Sequence, residues 1–132
     1  MPNLGDEQFL RATTWRRDGS PVATAIWPVT WDEGKVAFLT AKPSGKGKRL
    51  RHTPRVELQP SDWFGVPAEG STPVQGSVEL VEGEELDRVW AAVLEKYGQG
   101  AWDSAMERGR EAFKSQGIEE FDFYGVIVTF DD

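Results

Sequence analysis

Apolar residues along the chain switch between two spacings, and the switches divide it into strands and helices. Leu10 to Arg16 reads as a first strand. Arg17-Asp18-Gly19-Ser20 is a turn with a glycine available for positive φ, and Pro21 to Trp27 forms a second strand that completes a hairpin. Trp31-Asp32-Glu33-Gly34-Lys35 supplies another turn. Val36-Ala37-Phe38-Leu39-Thr40 is apolar enough for a centrally placed third strand, so three consecutive antiparallel strands are expected. Alternation stops after Thr40. Pro43 suits a helix start, Ser44 is a good N-cap, and Lys46 to His52 predicts one or two helical turns that end before Pro54. Gly45 and Gly47 weaken that helix, yet they let backbone N–H groups approach an anion at its positive end.

Alternation resumes from Arg55 to Gln59, pauses in the glycine- and proline-rich loop from Pro60 to Pro73, and returns in a strand from Val74 to Glu82. Leu86, Val89, Trp90, Val93, Leu94 and Tyr97 then form one apolar stripe, which predicts a helix from Glu84 to Tyr97. Trp102, Ala105, Met106, Gly109 and Phe113 repeat that spacing and predict a second helix from about Asp103 to Ser115. Phe121 to Phe130 closes the chain as a strand, with Val126, Val128 and Phe130 on one face and Ile127 and Thr129 on the other. Five or six antiparallel strands, a short basic helix and a helical pair before the last strand suggest a mainly β fold, a small barrel in a single domain spanning residues 1–132.

Composition narrows the chemistry. The chain has no cysteine and one histidine, which removes disulfides, thiol nucleophiles and cysteine-ligated metals and leaves no basis for a histidine-clustered metal site. No apolar run approaches the ~18 residues of a membrane span, and Met1 to Gln8 is polar and acidic rather than a basic-then-apolar leader. A soluble, cytoplasmic protein without a membrane partner is expected. The formal net charge of −7 also argues against nucleic acid as a partner.

One segment opposes that charge. Lys42, Lys46, Lys48, Arg49, Arg51 and Arg55 lie together with no acidic residue among them, and the rest of the chain holds nine basic against 22 acidic residues, about −13. A hydroxyl at Ser44, a helix N-terminus and closely spaced cations can converge on one phosphate. A solvated lysine-rich turn would read the same way. The Gly-x-x-x-x-Gly-Lys-Ser/Thr and Gly-x-Gly-x-x-Gly patterns of phosphate loops and dinucleotide folds are absent.

From Trp15 to about Gly76 the chain resembles the flavin-binding split-barrel family that includes pyridoxamine 5′-phosphate oxidase, and within it the branch using the deazaflavin coenzyme F-420. The resemblance is carried by Arg17-Asp18-Gly19-Ser20-Pro21-Val22, Ala25-Ile26-Trp27, Phe38-Leu39-Thr40, Ser44-Gly45-Lys46-Gly47-Lys48-Arg49-Leu50-Arg51 and Pro54-Arg55-Val56. It implies a six-stranded antiparallel split β-barrel with a helical insertion before the last strand. It further implies that Thr24, Ala25, Ile26 and Trp27 run beside a tricyclic ring, that Thr40 faces the cofactor, and that Ser44 and Lys46 hold its phosphate. Gly45, Lys48 and Arg49 would assist, leaving Arg51 and Arg55 peripheral.

The same resemblance implies a homodimer with the cofactor near its interface, and an oxidoreductase in which hydride passes from reduced coenzyme F-420 to a small unsaturated organic acceptor. FMN is the alternative cofactor, since it too carries a phosphate on a ribityl chain. A non-catalytic flavin- or deazaflavin-binding protein is a further alternative. The family branch often has an arginine where this chain has Asp62-Trp63-Phe64-Gly65, so Trp63 and Phe64 are expected to wall the ring or the substrate.

No catalytic set is evident, because the sequence offers no Ser/His/Asp arrangement. That absence suits a protein whose cofactor carries the chemistry. His52 reads as an exposed or capping residue, and Trp90 and Trp102 as core. Trp15, Trp27 and Trp31 fit an aromatic shelf or ordinary packing. Glu82, Glu84, Glu85 and Asp87 fit the start of a helix, where negative charge is favourable.

Overall fold

Strand alternation builds one antiparallel sheet in the computed structural model, which describes residues 3–131. Residues 1 and 2 of the polar stretch that opens the sequence, and residue 132 of the expected domain, lie outside that range. The strands are β1 (Leu10–Trp15), β2 (Pro21–Ile26), β3 (Val29–Thr30), β4 (Val36–Ala41), β5 (Arg55–Pro60), β6 (Val74–Val81) and β7 (Phe123–Phe130). Helix α1 spans Gly45–His52, and α2 (Gly83–Tyr97) and α3 (Gln99–Lys114) precede the last strand. The spatial order is β2-β1-β5-β6-β7-β4-β3, the split barrel expected from the resemblance. There are seven strands rather than six, because Val29–Thr30 pairs briefly with β4.

The β1–β2 hairpin forms as predicted. Gly19 takes φ +88°, and Asp18 Oδ1 accepts from the Ser20 N–H at 2.9 Å and the Ser20 hydroxyl at 2.7 Å. The third strand does not extend this hairpin. Pro28 lacks an N–H donor and interrupts the pairing after β2, and β4 crosses to pair with β7. Lys96 secures the corner by donating to the carbonyls of Gly5, Glu7 and Pro28 at 2.8, 2.6 and 2.6 Å.

Two apolar layers result from the alternation. Val36 and Phe38 on β4 face the same side as their partners Val128 and Val126, and this interior holds Leu10, Ile26, Val56 and Leu58. Leu50 of α1 plugs the same interior and is fully buried. Burying a leucine in this way stabilises the fold by roughly 1.5–3 kcal/mol. On the other side, Ala37 and Ile127 meet Val89 and Val93 of α2. Gly125 permits that approach, because a Cβ there would lie 2.8 Å from Val81 Cγ2 and 3.2 Å from Val89 Cγ2. Thus β7 is buried on both faces, and the face predicted for Ile127 is covered by helix rather than water.

Candidate functional site

Local sequence places α1 against the end of β4. Ser44 is its N-cap, with an extended backbone and an Oγ that accepts from the Gly47 N–H at 3.0 Å. The same hydroxyl donates to the Ala41 carbonyl at 2.7 Å and lies 3.4 Å from the buried Thr40 hydroxyl. A Cβ on Gly47 would stand 2.6 Å from the Ala41 oxygen, so glycine is what lets the first helical turn fold back onto the strand. Ser44, Thr40 and the α1 amides therefore share one small region.

The basic segment divides in two. Lys42 pairs with Glu82 and lies 5.0 Å over the Tyr124 ring, Arg51 donates to the Tyr124 hydroxyl at 3.2 Å, and Arg55 pairs with Asp131. Lys46, Lys48 and Arg49 form no ion pair among the described residues. Arg49 Nε instead donates to Thr14 Oγ1 on β1 at 2.6 Å. Arg16, just past the end of β1, forms no ion pair among the described residues, donates to Ser20 Oγ at 3.3 Å, and acts by its charge on both Asp18 and Arg49. Burial and then the Arg16 charge lower the Arg49 pKa. Burial and then the Arg49 charge lower the Lys46 pKa to about 8. Cations that depress one another in this way are what a bound anion would relieve.

Lys46 also lines a cavity of about 210 Å³ between the sheet and α3. Ala25, Ile26 and Trp27 form one wall, Leu39 and Ala41 another, and Trp102, Met106 and Phe113 of α3 the roof. Aromatic rings connect around it. Trp27 stacks on Tyr97 at 4.7 Å between centroids and meets Trp102 at 6.4 Å, while Trp102 packs against Trp90 at 5.0 Å and Phe123 at 5.6 Å. The two helical tryptophans expected as core are half-buried, and Trp102 is also a cavity wall. Thr24 Oγ1 is buried without a hydrogen-bond partner among the described residues. Buried hydroxyls rarely stay unpaired.

The loop after β5 is organised by Asp62, whose Oδ1 accepts from the Phe64 and Val66 N–H groups at 2.9 Å each. An acid at this position therefore shapes the loop. Gly65 then packs against β2, 3.5 Å from the Ala25 nitrogen by its Cβ position, with its carbonyl accepting from Arg11 at 3.2 Å. Trp63 reaches Trp27 at 6.1 Å and Phe9 at 5.3 Å, with the Arg108 guanidinium 5.4 Å over its ring. Phe64 is 83% exposed and is not among the residues lining the cavity beside Lys46. His52 Nδ1 lies 2.7 Å from Thr53 Oγ1 at the end of α1, where the Thr53 N–H closes the helix on the Arg49 carbonyl.

Sequence reasoning missed Arg16 and the α3 roof. Arg16 looked like the last residue of a strand, and only the pairing of distant elements sets it beside Arg49. A larger open groove of about 630 Å³ lies beyond Trp102, but Glu82, Asp87, Asp103 and Asp122 there outnumber Lys42 and Arg110, so it does not suit an anion. Among the described residues no cluster of three or more His, Cys, Asp or Glu side chains could hold a metal, and no helix is long and apolar enough to cross a membrane.

A sequence-family model described as pyridoxamine 5′-phosphate oxidase matches residues 3–125. The pyridoxine 5′-phosphate oxidase of Mycobacterium tuberculosis is 33% identical over 91 residues, which cover 69% of this chain and 39% of that protein. The chain thus spans well under half the length of the curated relatives it matches. Among solved structures, a conserved hypothetical protein of Mycobacterium tuberculosis superposes with a TM-score of 0.66 at 25% identity, covering 98% of this chain and 76% of that one. An F420 reductase superposes with a TM-score of 0.63 at 17% identity, covering 98% and 90%, which shows a shared fold.

Proposed function

Because the chain belongs to the pyridoxamine 5′-phosphate oxidase family, we propose that it binds a phosphate-bearing deazaflavin, coenzyme F-420, and acts as a reductase toward a small unsaturated organic acceptor. The observation that carries this reading is the set of cations near the mouth of α1, Arg16, Lys48 and Arg49, which form no ion pair among the described residues of an otherwise acidic chain. They would hold the phosphate together with the α1 amides, and Lys46 stands at the boundary between this clamp and the aromatic cavity. The unpaired Thr24 hydroxyl fits a polar atom of the coenzyme on β2. When bound, a reduced deazaflavin supplies the hydride. The chain's part is to hold the phosphate, to line the site with apolar rings that keep water out, and to fix orientation through β2.

FMN is the second reading, because nothing in the clamp reaches beyond a phosphate. Titration of the purified protein with each coenzyme, followed by absorbance and fluorescence, separates the two. Tight binding of FMN alone would replace the first reading with the second, and binding of neither would remove both. A homodimer forms part of this proposal. Exposed Trp63, Phe64 and Val66 give a second copy an apolar tip to cover, and sedimentation of Phe64→Ser against the parent protein tests it.

A further inference from the structure

Trp27 gives the cavity a flat aromatic wall, yet the sheet does not hold that residue. The β1–β2 register ends at the Leu10–Ile26 pair, and the fully buried Pro28 that follows has no N–H to offer. Trp27 is instead backed by the last turn of α2. The Tyr97 ring stacks on its indole at 4.7 Å between centroids and 27° between planes, closer and flatter than Trp63 at 6.1 Å and 51° or Trp102 at 6.4 Å and 72°. The Tyr97 hydroxyl donates to the Pro28 and Gln8 carbonyls, 2.8 and 2.9 Å away. Lys96 donates to the same Pro28 carbonyl at 2.6 Å and lies 5.1 Å over the Tyr97 ring. Two neighbouring side chains of α2 thus converge on the carbonyl of the residue after Trp27.

Tyr97 is not among the residues lining the cavity, so it stands behind the wall rather than in it. Burial raises its pKa and keeps the phenol a neutral donor. Packing of the α2 stripe needs only an apolar side chain, as at Val89 and Val93. A parallel ring and a hydroxyl spent on the turn after Trp27 do more than fill space. An aromatic wall orients a flat ligand only when its own ring is fixed before the ligand arrives.

We propose that Tyr97 is a positioning residue, which acts through Trp27 by fixing the plane of the indole and the Pro28 turn, so that the site presents a preformed wall to the coenzyme ring. Its effect on affinity rests on the coenzyme reading, whereas the orientation of Trp27 belongs to the free chain.

Fluorescence titrations with FMN and with coenzyme F-420 test the first part. Tyr97→Leu is expected to weaken binding by about three- to tenfold, the effect of one aromatic stack. Because Tyr97 acts through Trp27, the double variant should bind within about twofold of Trp27→Leu alone. Val89→Ala, which loosens α2 against the sheet but keeps the Tyr97 ring, should stay within about twofold of the parent protein. Losses that add in the double variant, or a Val89→Ala loss equal to that of Tyr97→Leu, would reduce Tyr97 to packing and overturn the proposal. The indole N–H signal of Trp27 in nitrogen-15 NMR of the free protein, assigned with Trp27→Leu, tests the second part. It should move or broaden in Tyr97→Leu or, where that variant does not fold, in Tyr97→Phe, which leaves the Pro28 carbonyl to Lys96. An unchanged signal overturns the proposal. If neither coenzyme binds the parent protein, the coenzyme reading falls, and a displaced Trp27 signal still supports the positioning role. A coenzyme that binds the parent and Tyr97→Leu equally well overturns that role and leaves the coenzyme reading standing.

Discussion

Two groups of cations from one stretch of sequence have opposite fates. Lys42 and Arg55 reach carboxylates near the surface, so their charges are answered within the chain, while Arg51 leans on the Tyr124 hydroxyl and ring. Lys46, Lys48 and Arg49 form no ion pair among the described residues, and Arg16 of the first hairpin, whose charge also acts on Asp18, stands near enough to Arg49 to depress its pKa. Residue type and spacing are alike in the two groups. The difference shows that a charge count locates a basic region, whereas the partners each cation finds decide whether it is scaffolding or a vacancy for an anion.

The largest effect that sharpens this comparison comes from the element carrying the unanswered cations. Leu50→Ala should lower stability by about 2–5 kcal/mol in urea unfolding, since it opens a cavity in the barrel interior. A loss well below that range would mean that α1 is not anchored by Leu50. Gly47→Ala should cost about 1–3 kcal/mol, as its new methyl meets the Ala41 carbonyl, and should weaken coenzyme binding in parallel because the cap shifts.

Charge reversal breaks the comparison directly. Arg49→Glu is expected to weaken coenzyme binding by at least about 1.5–3 kcal/mol, the value of a charged hydrogen bond, measured by fluorescence titration. Arg55→Glu should leave the affinity within about twofold, as for an exposed pair distant from the site. Equal losses in the two variants would erase the distinction between the groups.

The smallest effect is a pH dependence at Lys46. Its pKa in the folded chain is lowered to about 8, below the 10.5 of an ordinary lysine, so the unfolded chain binds more protons between these values. Stability of the free protein should therefore rise as pH increases from about 8 to 10.5, while below 8 the full cost of the desolvated ammonium is present and adds no pH dependence. Anion binding at Lys46 should run the other way and weaken as pH passes 8. Lys46→Arg stays charged and should flatten both trends, and denaturant titrations across this pH range check the first.

Local signals carried much of the fold. The α2 stripe, the Asp18-Gly19 turn and the Ser44 cap are set by residues within a few positions of one another, and all formed where expected. Pairings between distant residues were not legible. Nothing near Val36 says that β4 leaves β2 and joins β7, and nothing near Arg16 says that it will stand beside Arg49. The helices were legible by their spacing, but the apolar face of α3 matched a core as well as a cavity roof, because both need the same side chains.

By itself the sequence determined the period of each element, the cap and glycines that start α1, and the concentration of positive charge there, since all of these depend on neighbours along the chain. Only the tertiary structure decided which cations are paired with carboxylates and that Arg16 comes to stand near Arg49. It also decided that Lys46 faces an aromatic cavity, because Coulombic and packing energies follow distance in space rather than separation in sequence.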